Sequence, residues 1–236
     1  MNKGRLFLIP VTLGETATKS VLPDGVIECA RQLQYFVAEN AKSARAFLKS
    51  LPPLIPLQQI HISELNEHTS PEELAVLLSP LLLGNDIGLV SEAGCPAVAD
   101  PGSNLVALAH ESGITVIPMV GPSSILLALM ASGLSGQNFA FHGYLPAKSD
   151  QRDKKIRELE KHSRLEKRTQ IFIETPYRNR QMFESLTGSC SADTRICIAT
   201  DLTLGSQRIE TRTCCEWRKQ ELPAIDRRPT IFLLQA

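Results

Sequence analysis

Apolar and polar positions along this chain change their period several times, and each change marks a predicted element. Short apolar runs at residues 5–11, 35–38, 58–61, 87–90 and 115–118 predict strands. Between them, apolar residues recur at helical spacing over 40–51, 71–82 and 103–111. Strand and helix alternate, the order that builds a mainly parallel sheet with helices on its faces. Ser70-Pro71-Glu72-Glu73 supplies a helix start, with Ser70 as N-cap, Pro71 at the first helical position and Glu73 closing a capping box.

The order changes after a helical pattern that begins at Gly121-Pro122 and runs through Leu134, with Pro122 expected at its first position. Strands are predicted at 138–142, 169–173, 195–200, 207–212 and 230–235, against helices only at 150–162, 178–186 and 214–219. The close succession of the last three strands predicts antiparallel pairing and a mixed sheet. The expected fold is α/β with two domains, 1–116 and 117–236, and a ligand is expected in the cleft between them.

Composition narrows the class. At 236 residues and 43% hydrophobic, the chain can bury a globular core. No apolar run approaches the roughly 18 residues of a membrane span. Pro10 and Gly14 interrupt the first apolar stretch and Glu15 follows, which is unlike a signal peptide. The six cysteines, at 29, 95, 190, 197, 214 and 215, form no CxxC pair, and the vicinal pair cannot bridge without strain. A reducing, cytoplasmic location is expected. The five histidines show no i, i+4 pair, so no metal site is expected.

Twenty-five basic and twenty-five acidic residues give zero formal charge, which excludes the global signature of a nucleic-acid binder. Residues 148–168 hold nine Lys or Arg against five Asp or Glu, a run expected to be a solvated helix face.

The most informative segment is LVSEAGCPAVADPG, residues 89–102. An apolar run stops at Val90 and gives way to small residues, two carboxylates, two prolines and two glycines, as where a strand delivers its carboxyl end into a crevice loop. Ligands of open α/β sheets sit there, which singles out Ser91, Glu92, Ala93 and Gly94. A second such loop follows the 114–120 strand pattern, at Gly121-Pro122-Ser123-Ser124.

These two loops, then FHGYLPAK at 141–148 and IFIETPYR at 171–178, occur in the order and spacing of the tetrapyrrole-methylase superfamily. Within it the chain most resembles the bacterial branch that methylates the 2′-O-ribose of small-subunit ribosomal RNA. The resemblance implies two α/β domains, S-adenosyl-L-methionine (SAM) bound between them, and a homodimer. Carried over residue by residue, it implies cofactor contacts at Pro10, Leu13 and Gly14, at Ser91, Glu92, Ala93 and Gly94, and at Ser123 and Ser124. It adds Thr175 and the backbone of Pro229, Thr230 and Ile231.

The residue chemistry is compatible with that implication. Ala93, Gly94 and Ala97 permit close backbone approach, and Glu92 can accept hydrogen bonds from a diol or an ammonium. Thr175 and Pro176 also read as the N-cap and first position of a helix. Methyl transfer to a hydroxyl needs orientation, desolvation and removal of a proton. Glu39, Asp100 and Glu174 are candidate bases, and Lys148 is a candidate for stabilising the alkoxide or meeting phosphate. Arg178, Arg180, Lys154 and Lys155 would extend a basic surface toward RNA.

The chain also departs from the branch. Glu15 stands in place of an asparagine, and Ala38-Glu39-Asn40-Ala41-Lys42 in place of a Glu-Asp-Thr-Arg run. Thr200-Asp201 replaces an Arg-Glu pair, Leu204 a lysine, and the extra C-terminal segment of the ribosomal enzymes is expected to be missing after Ala236. Two other readings stay open: a methyltransferase for a tetrapyrrole or another small acceptor, and a SAM-binding module without catalysis.

Overall fold

The computed structural model describes residues 3–52 and 54–236. The chain divides into two compact units, Met1–Ser123 and Ser124–Ala236. The division falls beyond the 116/117 position expected from sequence because residues Thr115–Pro118 form a strand that pairs within the first sheet.

The first unit contains β1 (Arg5–Leu8), α1 (Asp24–Gln32), β2 (Tyr35–Ala38), α2 (Ala41–Ser50) and β3 (His61–Glu64). It continues through α3 (Pro71–Leu77), α4 (Ser79–Leu82), β4 (Ile87–Val90), α5 (Gly102–Glu111) and β5 (Thr115–Pro118). The strands pair in parallel in the order β3-β2-β4-β1-β5. Alternation along the strands separates two cores. Phe7, Phe36 and Val90 join Val26, Ile27 and Ala30 of α1 and Ala44 and Leu48 of α2 on one face. Leu6, Val37, Ile87 and Leu89 join Leu81 of α4 and Leu105 and Ala109 of α5 on the other. The central strands therefore bury apolar side chains against a helix layer on each face, as a doubly wound parallel sheet requires.

The second unit contains α6 (Ser124–Ser132), β6 (Phe139–Tyr144), α7 (Ser149–Glu166), β7 (Thr169–Ile173) and α8 (Asn179–Ser189). It ends with β8 (Arg195–Thr200), β9 (Arg208–Thr213), α9 (Cys214–Trp217) and β10 (Thr230–Gln235). Its order is β6-β7-β10-β8-β9, with β6 and β7 parallel and the remaining pairs antiparallel, the mixed sheet expected. Phe172 and Phe232 stack across β7 and β10 at 6.0 Å, and the buried Trp217 indole donates to the Ile196 carbonyl at 2.9 Å. α7, α8 and α9 close this core.

Several elements differ from their predicted bounds for local reasons. β1 ends at Leu8, before Pro10, which has no N–H to donate. The edge strand β3 lies at His61–Glu64 rather than 58–61, because Leu57–Gln59 form a 3-10 turn. The predicted 71–82 helix breaks at Leu78, beside Pro80, although its Ser70–Glu73 capping box forms as expected. α6 starts at Ser124, so Pro122 precedes the helix instead of opening it, and α6 ends at Ser132, short of Leu134. α7 runs past His162 to Glu166 and is closed by Lys167 in the left-handed region at φ 50°. α9 stops at Trp217, short of the predicted Lys219.

Candidate functional site

β4 lies between β1 and β2 in the first sheet, and the helices that follow β1 and β2 cover one face while α5, which follows β4, covers the other. Open α/β sheets whose helices pass to opposite faces from adjacent strands take their ligands at the carboxyl edge. Beyond β1 the backbone stays attached to the β4 side: Ile9 N–H donates to the Leu89 carbonyl and Val11 N–H to the Gly94 carbonyl, both at 2.9 Å. Pro10 and Leu13 are thereby held beside the β4 loop, and Gly14 follows them in the chain.

Glycine permits this convergence. A Cβ on Gly121 would stand 2.3 Å from Cβ of Pro10, and one on Gly94 3.0 Å from Leu13 Cδ2 and 3.1 Å from the Pro122 carbonyl oxygen. The Cys95 thiol donates to the same carbonyl at 3.5 Å, so the segment leading to Ser123 belongs to the cluster. Ser91 Oγ donates to the Ala93 and Gly94 carbonyls at 3.3 Å. Gly94, Ala97 and Ala99 all adopt positive φ, at 71°, 64° and 58°. Asp100 Oδ1 fixes this path by accepting from Ala97 N–H at 2.9 Å and Gly102 N–H at 2.8 Å.

Three carboxylates gather at this edge. Glu92 is exposed, with Ala93 beside it, and accepts from the Ser43 hydroxyl at the start of α2. Glu39, at the end of β2, has its pKa raised by burial and then by the neighbouring charges of Glu92, Asp100 and Glu67. Burial also raises Asp100, against the lowering effect of its two backbone hydrogen bonds. Asn40 caps α2, its Oδ1 accepting from Lys42 N–H at 2.8 Å. Glu39 combines its raised pKa with an exposed side chain that makes no loop-anchoring bond among the described residues, whereas Asp100 is engaged in holding the loop.

In the second unit Glu174 is buried, and its Oε1 accepts from Thr175 N–H at 2.7 Å and from Arg178 Nε and Nη2 at 2.9 and 2.7 Å. Its Oε2 is buried with no hydrogen-bond partner among the described residues. Thr175 occupies the cap position before the Pro176–Arg178 turn, but its hydroxyl lies 3.2 Å from Glu174 Oε1 and makes no cap bond. Asn179 Nδ2 reaches the Ile225 and Arg228 carbonyls at 2.8 and 2.7 Å and Thr230 Oγ1 at 3.2 Å. Pro229 presents its carbonyl to Asp201 N–H at 2.9 Å, and Ile231 sits within the ladder between Ile173 and Ala199. Glu174 and Thr175 thus share one cluster with Arg178, and Thr230 belongs to a second one around Asn179, while Ser124 opens α6 and Lys148 stands exposed at the N-cap of α7.

The basic surface expected in this unit is interleaved with acids. Lys155 pairs with Glu158, Arg164 with Asp193, Arg178 with Glu174 and Arg180 with Glu184. Among the described residues no group of three or more His, Cys, Asp or Glu side chains could hold a metal ion, and no helix is long and apolar enough to cross a membrane. Sequence reading missed Ser43 and Asn179. Asn179 directly follows the 171–178 motif, which was its available signal; Ser43 meets Glu92 from 49 positions away and had none.

Comparison with known proteins agrees with this architecture. The family model for Tetrapyrrole (Corrin/Porphyrin) Methylases matches residues 26–216. The chain is 37% identical over 146 residues to a ribosomal RNA small subunit methyltransferase I of Vibrio cholerae, covering 62% of this chain and 49% of that protein. It is 30% identical over 202 residues to the protein of that name from Escherichia coli O157:H7, covering 86% of this chain and 66% of the relative. The chain therefore spans about half to two thirds of the length of these relatives. Among solved structures it is similar in fold to the methyltransferase CobJ, with a TM-score of 0.65 at 17% identity over 98% of this chain and 94% of that one.

Proposed function

The chain belongs to the tetrapyrrole (corrin/porphyrin) methylase family, and from that premise we propose that it is a SAM-dependent methyltransferase acting on a ribose 2′-hydroxyl of small-subunit ribosomal RNA. The observation that carries this reading is the convergence of the loops after β1, β4 and β5 at Gly94 and Gly121, with Glu39 after β2 close enough to feel the charges of Glu92 and Asp100 in the β4 loop. The similarity to two bacterial proteins named ribosomal RNA small subunit methyltransferase I supports the RNA substrate.

The residues fit the cofactor. Gly94 and Gly121 leave the backbone bare where loops approach closely, and the group of Glu39, Glu92 and Asp100 makes a negative environment suited to a sulfonium and an ammonium. In this reading Pro10, Leu13, Gly14 and Ser91 to Gly94 hold SAM, with Glu92 receiving its hydrogen-bond donors. When bound, SAM supplies an activated methyl carbon. Asp100 keeps the loop in its strained path, and Glu39 takes the proton of the attacking hydroxyl.

The proposal includes a homodimer, which the resemblance implies; Met130 on α6 is 79% exposed, apolar surface of the kind a second copy covers. It also includes a cytoplasmic location, consistent with the free cysteines. The decisive experiment combines calorimetry with SAM and transfer of labelled methyl to naked and assembled small-subunit RNA and to a uroporphyrin-type acceptor. Labelling of an RNA ribose is expected. SAM binding with no transfer to any RNA overturns the substrate, and absence of SAM binding overturns the whole reading.

A further inference from the structure

We propose that α2 is a docking face for the phosphate backbone of RNA, adjoining the site at Glu39; the inference rests on the RNA reading above. Lys42, Arg45 and Lys49 recur at spacings of three and four, which places them on one face of the helix. All three are exposed, whereas Ala44 and Leu48 of the same helix are buried in the core. The helix contains no Asp or Glu.

What sets this stripe apart is the absence of acids on its helix: α7 carries exposed Lys154, Arg157 and Lys161 at the same spacing, but with Glu158 and Glu160 set among them. α1 pairs Arg31 with Glu28, α7 pairs Lys155 with Glu158, and α8 pairs Arg180 with Glu184. Those are solvated faces with intercalated signs. Lys42, Arg45 and Lys49 have no ion pair among the described residues. Lys42 also sits in the first turn, where the positive end of the helix dipole disfavours a cation. Helix stability therefore does not explain its charge, whereas an anionic partner does.

The geometry fits one class of partner. At 1.5 Å per residue the stripe spans about 10 Å, long enough to meet more than one phosphate of a nucleic-acid strand. Glu39 and Asn40 lead directly into the helix, so a strand held on this face passes the candidate base. A chain with zero formal charge draws RNA here through a local field.

The test follows binding of a labelled, unstructured oligoribonucleotide to the full chain by fluorescence anisotropy across a potassium chloride series. In K42Q/R45Q/K49Q the slope of log affinity against log salt should fall by about two, from ~0.7 per lost contact, with at least tenfold weaker binding at low salt. K42R/R45K/K49R should keep the wild-type slope, and SAM binding by calorimetry should be unchanged in both. K154Q/R157Q/K161Q on α7 should also keep the slope. An unchanged slope in K42Q/R45Q/K49Q, or loss only in the α7 variant, overturns the inference while the functional reading stands. Wild type that binds SAM and phosphatidylserine vesicles but neither binds nor methylates RNA overturns both.

Discussion

The Asp100 carboxylate accepts the backbone N–H of Ala97 at 2.9 Å, and so holds an alanine in the left-handed region at φ 64°. Such a conformation costs an L-residue about 1 kcal/mol, and Ala99 adopts it as well. The same oxygen accepts from Gly102 N–H, so one carboxylate closes the loop and starts α5. Asp100→Ala should destabilise the protein by about 2 kcal/mol in urea unfolding. Asp100→Asn keeps an oxygen acceptor and should lose less. If the loop holds SAM as proposed, SAM affinity should fall in the same order, following the loop path rather than the charge.

Glu39 gives a pH prediction. Its folded pKa is raised by burial and by Glu92, Asp100 and Glu67. A raised carboxyl pKa means that the folded state holds the proton longer, so this contribution is fully present below the ordinary glutamate range and is lost as pH rises through the folded value. Glu39→Gln should therefore raise the thermal midpoint at neutral pH and flatten its fall between mildly acidic and neutral pH. The same variant should retain SAM binding and lose methyl transfer, by about a hundredfold or more for a missing general base. Undiminished transfer would remove Glu39 from the mechanism.

Gly121 faces the ring of Pro10, which cannot move aside as a flexible side chain would. Gly121→Ala places a carbon 2.3 Å and 2.6 Å from two Pro10 ring carbons, so backbone on one side must shift. Overpacking of this kind costs about 1–3 kcal/mol, readable by denaturant unfolding. Gly25→Ala, where the added carbon meets nothing within 4 Å, should leave the loops and SAM affinity intact.

How much was legible in sequence depended on burial. β2, β4, β5, β7, β8 and β10 match their predicted runs, most of them rich in buried apolar residues. The edge strand β3 has mostly exposed positions, so it carried no apolar signal and its bounds were displaced. The end of α7 was hidden because its last turn is nearly all polar, and its stop depends on a left-handed Lys167 rather than a glycine. At the site, the loops were visible from composition and order. The division of labour was not: Asp100 and Glu39 looked alike as candidate bases until hydrogen bonds to Ala97 and Gly102 identified one as an anchor.

Glu174 separates a structural from a chemical role in the second unit. Its side chain is fully buried and meets the guanidinium of Arg178, which is 22% exposed, at 2.7 Å. Arg178→Met leaves a buried carboxylate without its countercharge and should cost about 3 kcal/mol at neutral pH in denaturant unfolding. Glu174→Gln removes the charge but keeps an acceptor for Thr175 N–H and should cost less. The double variant should recover part of the Arg178→Met loss, because the unpaired charge is gone; this coupling is the measured quantity. Strict additivity of the two changes would show that the pair contributes only as two separate side chains.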